Sequence, residues 1–143
     1  MPMPDVSMLA EAAIKVREAA YAPYSGFAVG AALLAEDGTV YTGCNVENAA
    51  YGVSNCAERT ALYKAVSCGA QRFKAIAVAG APAAQSGNGP LPACPPCGVC
   101  RQALYEFGGP GLAVVLALGQ GRWEEHTLGE LLPMAFGPEN LEV

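Results

Sequence analysis

Three cysteines are spaced for metal chemistry. Cys97-Gly98-Val99-Cys100 is a C-x-x-C motif directly after Pro95-Pro96, and Cys56-Ala57-Glu58 lies 41 positions upstream of Cys97. Three thiolates on one Zn²⁺ leave a tetrahedral ion one open position, as in a catalytic rather than a structural site. Each part has a plainer reading. A C-x-x-C at a helix start also serves thiol–disulfide exchange, because the helix dipole lowers a thiol pKa. A structural zinc ribbon needs a second C-x-x-C, and only the overlapping Cys94/Cys97 pair offers one. Alone, Cys56 reads as a small buried hydrophobe, and Glu58 as the N3 partner of a capping box begun by Asn55. The combination is more specific than its parts.

Three thiolates on one zinc carry a net charge of −1, so nearby positive charge is needed to keep the metal's water acidic. Helix N-termini supply part of it, and both ligand groups fall on predicted first turns. Arg59 and Arg101 each follow a motif directly; Arg59 is the preferred hydrogen-bond donor to the sulfurs. Of the remaining cysteines, Cys44 in a strand and Cys68 at a helix end read as core packing. Cys94 reads as a free loop thiol that competes as a ligand by spacing. The single histidine, His126, reads as a sheet-surface residue.

The elements that must position these residues follow from periodicity. Residues 7–20 carry apolar positions at helical spacing, with Lys15 and Arg17 on the polar side, and Pro23 closes the segment. Phe27 to Leu34 reads as a strand, Glu36 to Thr39 as a hairpin turn, and Thr39 to Asn45 as the returning strand. Cys56 to Cys68 reads as a helix stopped by Gly69. Lys74 to Ala79 reads as a short buried strand, and the Pro- and Gly-rich stretch Gly80 to Pro95 as a loop. A helix from Cys97 to about Phe107, strands at Leu112–Leu118 and Arg122–His126, and a short helix at Leu128–Leu132 complete the order. Central strand–helix alternation implies parallel neighbours, and the opening hairpin makes the sheet mixed. The expected fold is a three-layer α/β/α sandwich around a mixed five-stranded sheet.

Composition narrows the function. A chain of 143 residues with 52% hydrophobic and 15% charged residues suits one domain, residues 1–143, and excludes disorder. A net charge of −5 with scattered basic residues argues against a nucleic-acid partner. The longest apolar run, Leu112 to Leu118, falls far short of the roughly 20 residues of a membrane span. The start Met1-Pro2-Met3-Pro4-Asp5 lacks the features of a signal peptide, so a cytoplasmic protein is expected. One histidine excludes an H-E-x-x-H protease and a Cys₂His₂ finger.

On these motifs the chain resembles the cytidine deaminase family, in its small, three-cysteine, homotetrameric form. The resemblance runs through Tyr21–Phe27, Val29–Leu33, Gly43–Tyr51, Cys56–Ala61, Pro96–Gln102 and Leu131–Phe136. It implies one zinc per subunit on Cys56, Cys97 and Cys100, with Glu58 as proton shuttle. It implies deamination of cytidine and 2′-deoxycytidine in pyrimidine salvage. Phe27 would contact the pyrimidine, Asn45 and Glu47 the ribose 3′-hydroxyl, and the Ala57 carbonyl the 4-amino group. Ala49, Tyr51 and Phe136 would reach a neighbouring subunit's pocket. A carboxylate at the ribose repels phosphate, which favours nucleosides over nucleotides. The Gly80–Pro95 loop and Cys94 depart from the family pattern. A deaminase of a cytosine-containing antibiotic shares the cysteine signature, but Asn45, Glu47 and Leu131–Phe136 favour cytidine.

Overall fold

The computed structural model describes residues 5–143, so the Met1–Pro4 start lies outside the described residues. Helix α1 (Val6–Val16) begins where the Asp5 side chain accepts the Met8 N–H at 2.9 Å, and it tightens into a 3-10 turn at Arg17–Ala19. Strands β1 (Phe27–Ala35) and β2 (Val40–Cys44) form a hairpin. Helix α2 (Ala57–Ser67), strand β3 (Phe73–Pro82) and helix α3 (Gly98–Gly108) follow. Strands β4 (Ala113–Gly119) and β5 (Arg122–Thr127), helix α4 (Leu128–Leu131) and a 3-10 turn at Pro138–Leu141 close the chain. No helix among the described residues is long and apolar enough to cross a membrane.

The sheet runs β2-β1-β3-β4-β5 and is mixed, as expected, with β3 and β4 as its parallel pair. Alternation along the strands splits the core in two. Ala32, Leu34, Ala77, Ala79 and Val115 face α1, against Leu9, Ala10 and Ala13. Leu33, Ile76, Val78 and Val114 face the other way, against Leu62 of α2, Leu104 of α3 and Leu128 of α4. Each fully buried aliphatic side chain of this kind contributes about 1.5–3 kcal/mol. The result is the three-layer sandwich, with both ligand-bearing helices on one face.

Helix α2 lies directly on β2. A Cβ at Gly43 would stand 2.5 Å from the Ala61 nitrogen and 2.8 Å from the Ala57 carbonyl oxygen, so only glycine permits this approach. That contact fixes the start of α2, and with it Cys56 and Glu58.

Three details differ from the sequence reading. Strand β3 continues past Ala79 to Pro82, because Gly80, Ala81 and Pro82 pair with Val29, Ala28 and Phe27 of β1. Arg17 is buried, at 5% exposure, instead of lying on the polar side of its helix. Its Nε donates to the Ala28 carbonyl at 3.0 Å and its Nη2 to those of Ala81 and Pro82 at 3.2 Å, tying the start of β1 to the end of β3. Cys68 caps α2 in an exposed position and does not pack in the core.

Candidate metal centre and active site

The three clustered thiols sit where two helices begin. Cys56 is the N-cap of α2 and Cys97 the N-cap of α3, both in extended backbone and neither using its side chain to cap. Cys100, one turn into α3, is buried. The free N–H groups of both helix starts face this corner, where their partial positive charge favours thiolates. The three sulfurs lie within 4.8 Å of one another, and Cys56 Sγ is 3.8 Å from Cys97 Sγ. Zn–S bonds of about 2.3 Å in a tetrahedron place sulfurs about 3.8 Å apart, so the cluster fits zinc. Among the described residues this is the one cluster of metal-ligating side chains.

Positive charge reaches the sulfurs through Arg59. Its Nη2 donates to Cys56 Sγ at 3.5 Å, and its Nε is buried without a hydrogen-bond partner. Without metal, the Cys56 thiol is pulled down to about 5, first by the hydrogen bond from the Cys100 thiol and then by Arg59, against the opposing effect of burial. Cys100 is held well above its ordinary value because it donates to Cys56 and is buried. A cation bound there would displace this proton, and both sulfurs could serve it as thiolates. Arg101 does not face the sulfurs; it donates instead to the Pro96 and Leu131 carbonyls.

Glu58 is the buried carboxylate of the site, at 4% exposure. No capping box forms with Asn55, whose side chain donates to Thr60 Oγ1 at 3.2 Å. Burial pushes the Glu58 carboxyl up to about 7, with the negative charge of Cys56 adding to the rise. Glu58, Cys56, Ala57 and Cys97 line a cavity of about 230 Å³ whose far side is formed by Asn45 and Glu47. A larger cavity of about 530 Å³ beside α1 has Arg17 in its wall but contains none of the cysteines.

The far side of the site is organised by backbone donors. Glu47 accepts from the Tyr24 and Ser25 N–H groups, each at 3.0 Å, and from the Ser25 hydroxyl. These bonds, led by the Ser25 hydroxyl, hold its carboxyl below the ordinary range. Asn45 accepts from the Val29 N–H at 2.9 Å and donates to the Phe27 carbonyl at 2.8 Å. A second cavity of about 370 Å³ opens at Glu47 and is walled by Tyr24, Ser25, Tyr51 and Ser54.

The structure therefore brings together Cys56, Ala57, Glu58, Cys97 and Cys100 with Asn45 and Glu47. Phe27 stands at the edge, over Gly80: a Cβ at Gly80 would meet Cys94 Sγ at 2.5 Å and the Phe27 ring at 3.1 Å. Tyr51 lies in the outer cavity, while Ala49 and Phe136 are exposed and line neither. Sequence reasoning missed Ser25 as the residue that fixes Glu47, although it lies within the Tyr21–Phe27 motif. Cys94 lines the inner cavity but stays outside the metal cluster; burial pushes its thiol up to about 11.

Residues 3–116 match the family model of the cytidine and deoxycytidylate deaminase zinc-binding region. The chain belongs to that family. A cytidine deaminase of Sporosarcina psychrophila is 52% identical over 137 residues, covering 96% of this chain and 95% of that protein. One of Mycobacterium tuberculosis is 43% identical over 141 residues, covering 99% and 96%. The crystal structure of cytidine deaminase from Burkholderia pseudomallei superposes with a TM-score of 0.81 at 51% identity, over 93% of this chain and all of that one. Membership in this zinc-binding deaminase family and the three-cysteine cluster agree on one zinc ion as cofactor.

Proposed function

We propose that the protein is a cytidine deaminase that hydrolyses cytidine and 2′-deoxycytidine to uridine and 2′-deoxyuridine with release of ammonia. The observation that carries this reading is a buried carboxyl, Glu58, in the wall of the same cavity as two of the three clustered thiols. Cys56, Cys97 and Cys100 would hold the metal. Bound there, zinc supplies Lewis acidity that makes a water acidic enough to attack near neutral pH.

The chain's own groups do the rest. Glu58, a buried carboxyl beside the thiols, can take a proton and return it within one turnover. It accepts the proton of the attacking water and delivers it to N3 of the pyrimidine, which makes C4 more electrophilic. The new C4–O bond gives a tetrahedral carbon. Glu58 then takes the proton of the new C4 hydroxyl and carries it to the 4-amino group; the C4–N bond breaks as the C4 carbonyl forms, and ammonia leaves. The Ala57 carbonyl would accept from the 4-amino group and orient it. Asn45 and Glu47, fixed by β1 and the Tyr24–Ser25 turn, would hold the ribose 3′-hydroxyl, and Phe27 would contact the base.

The same reading makes residues 1–143 a single domain that works as a cytoplasmic homotetramer in pyrimidine salvage. Ala49, Tyr51 and Phe136, exposed on the single chain, would complete a neighbour's pocket, and Arg59 would compensate the thiolate charge. A metal assay beside turnover on cytidine, deoxycytidine, cytosine, dCMP and blasticidin S tests the proposal. One zinc per chain and fastest turnover on the two nucleosides is the expected result. Turnover confined to blasticidin S or dCMP, or protein without zinc, would overturn it.

A further inference from the structure

Helix α3 carries two metal-ligand candidates at its start and grips the C-terminal segment along its flank. Arg101 Nη1 donates to the Leu131 carbonyl at 2.7 Å, Gln102 Nε2 to the Phe136 carbonyl at 2.7 Å, and the Tyr105 hydroxyl to Glu139 Oε1 at 2.9 Å. Leu131 packs against the core, but further along the segment Met134, Phe136 and Leu141 are exposed. Met134 also sits at φ 51°, a left-handed conformation that costs a non-glycine residue about 1–2 kcal/mol. Hydrogen bonds to α3 thus hold a stretch that burial secures only in part.

Arg101 also reaches the other way. Its Nε donates to the carbonyl of buried Pro96 at 2.7 Å, and its backbone N–H to the Cys97 carbonyl at 2.9 Å. One guanidinium therefore bridges the turn that presents Cys97 and the end of α4. The fork geometry of arginine suits two acceptors at once, which a lysine ammonium on a flexible stem does not reproduce.

We propose that Arg101 is a positioning residue that couples the C-terminal segment, residues 131–141, to the metal-ligand turn at Pro96–Cys97. The proposal rests on the reading of Cys56, Cys97 and Cys100 as zinc ligands. Because coupling between two sites is reciprocal, metal at the turn steadies the segment, and the docked segment slows metal loss.

The test compares zinc-loaded and chelator-stripped protein by amide hydrogen exchange, and measures zinc release to a coloured chelator. Stripping zinc from the wild type is expected to speed exchange across 131–141 as well as around 97–101. In Arg101→Gln the C-terminal segment exchanges fast with or without zinc, and zinc leaves about 10-fold faster. Arg101→Lys, the milder change, falls between the two and decides the question if Arg101→Gln does not fold. Tyr105→Phe loosens only the region around Glu139 and leaves zinc release unchanged, separating coupling from general loosening. Exchange at 131–141 that ignores zinc in the wild type, or wild-type zinc release from both Arg101 variants, would overturn the proposal. A wild type that takes up no zinc overturns the metal reading itself, and the proposal with it.

Discussion

The two helix starts that meet at the metal centre are built differently. That of α2 is embedded: Ala57, Glu58 and Ala61 are buried, and Gly43 lets the helix backbone rest on β2. That of α3 is an outer turn, in which Cys97, Gly98 and Val99 are exposed and only Cys100 points inward. One start is held by the core, the other by side-chain hydrogen bonds such as those of Arg101. Glu58, the proposed proton shuttle, thus lies on the rigid side, where its geometry and its raised pKa both depend on burial. Two of the three thiols are placed on the side held by side-chain hydrogen bonds.

The sharpest way to break this division is Glu58→Gln. It should lower kcat by about 10³-fold while zinc content stays at one per chain, because the amide keeps the shape and cannot move the proton. Zinc analysis beside steady-state kinetics checks both halves. Cys100→Ala removes the one inward-facing ligand of α3 and should leave the purified protein largely without zinc, as metal analysis would report. Loss of zinc without loss of the overall far-UV circular dichroism is expected, since the core lies beneath.

A third prediction concerns the metal-free protein and pH. The folded Glu58 carboxyl, at about 7, lies above its ordinary 4.5, so the folded state binds the extra proton between those values. Its contribution to stability is fully present below about pH 4.5 and is lost as pH rises through about 7, by about 3 kcal/mol in all. Urea unfolding of stripped wild type and Glu58→Gln at pH 5 and pH 7.5 measures it, and the glutamine variant should lack that part of the decline. Smaller again is Arg59→Gln, expected to lower kcat/KM about 10-fold with the fold intact, since helix dipoles still favour the thiolates. Smallest is Cys94→Ala. It should leave zinc content unchanged, and a drop would move Cys94 into the ligand set.

What was legible in the sequence follows the same division. The strands and main helices could be read in order, because alternation and helical spacing report burial directly, and burial made the fold. The cysteine cluster was legible because few residue types suit zinc. Arg17 was not, because its helical position places it among polar neighbours; only the close approach of β1 and β3 gives its guanidinium three carbonyls. The end of β3 was missed for a related reason. Gly80 and Pro82 carry loop character alone, yet the first leaves room for Cys94 and Phe27 and the second closes the strand. The role of Ser25 depends on a loop bringing it to Glu47, 22 positions away, which periodicity cannot express.

Cys56 and Cys97, 41 positions apart, enclose helix α2, the following turn and the whole of β3. An ion that joins these two cysteines closes a ring of polypeptide with the central strand inside it. A cross-link around a loop of that length removes about 4 kcal/mol of conformational freedom from an unfolded chain that retains it. The metal that serves the chemistry is also a clasp on the middle third of the chain.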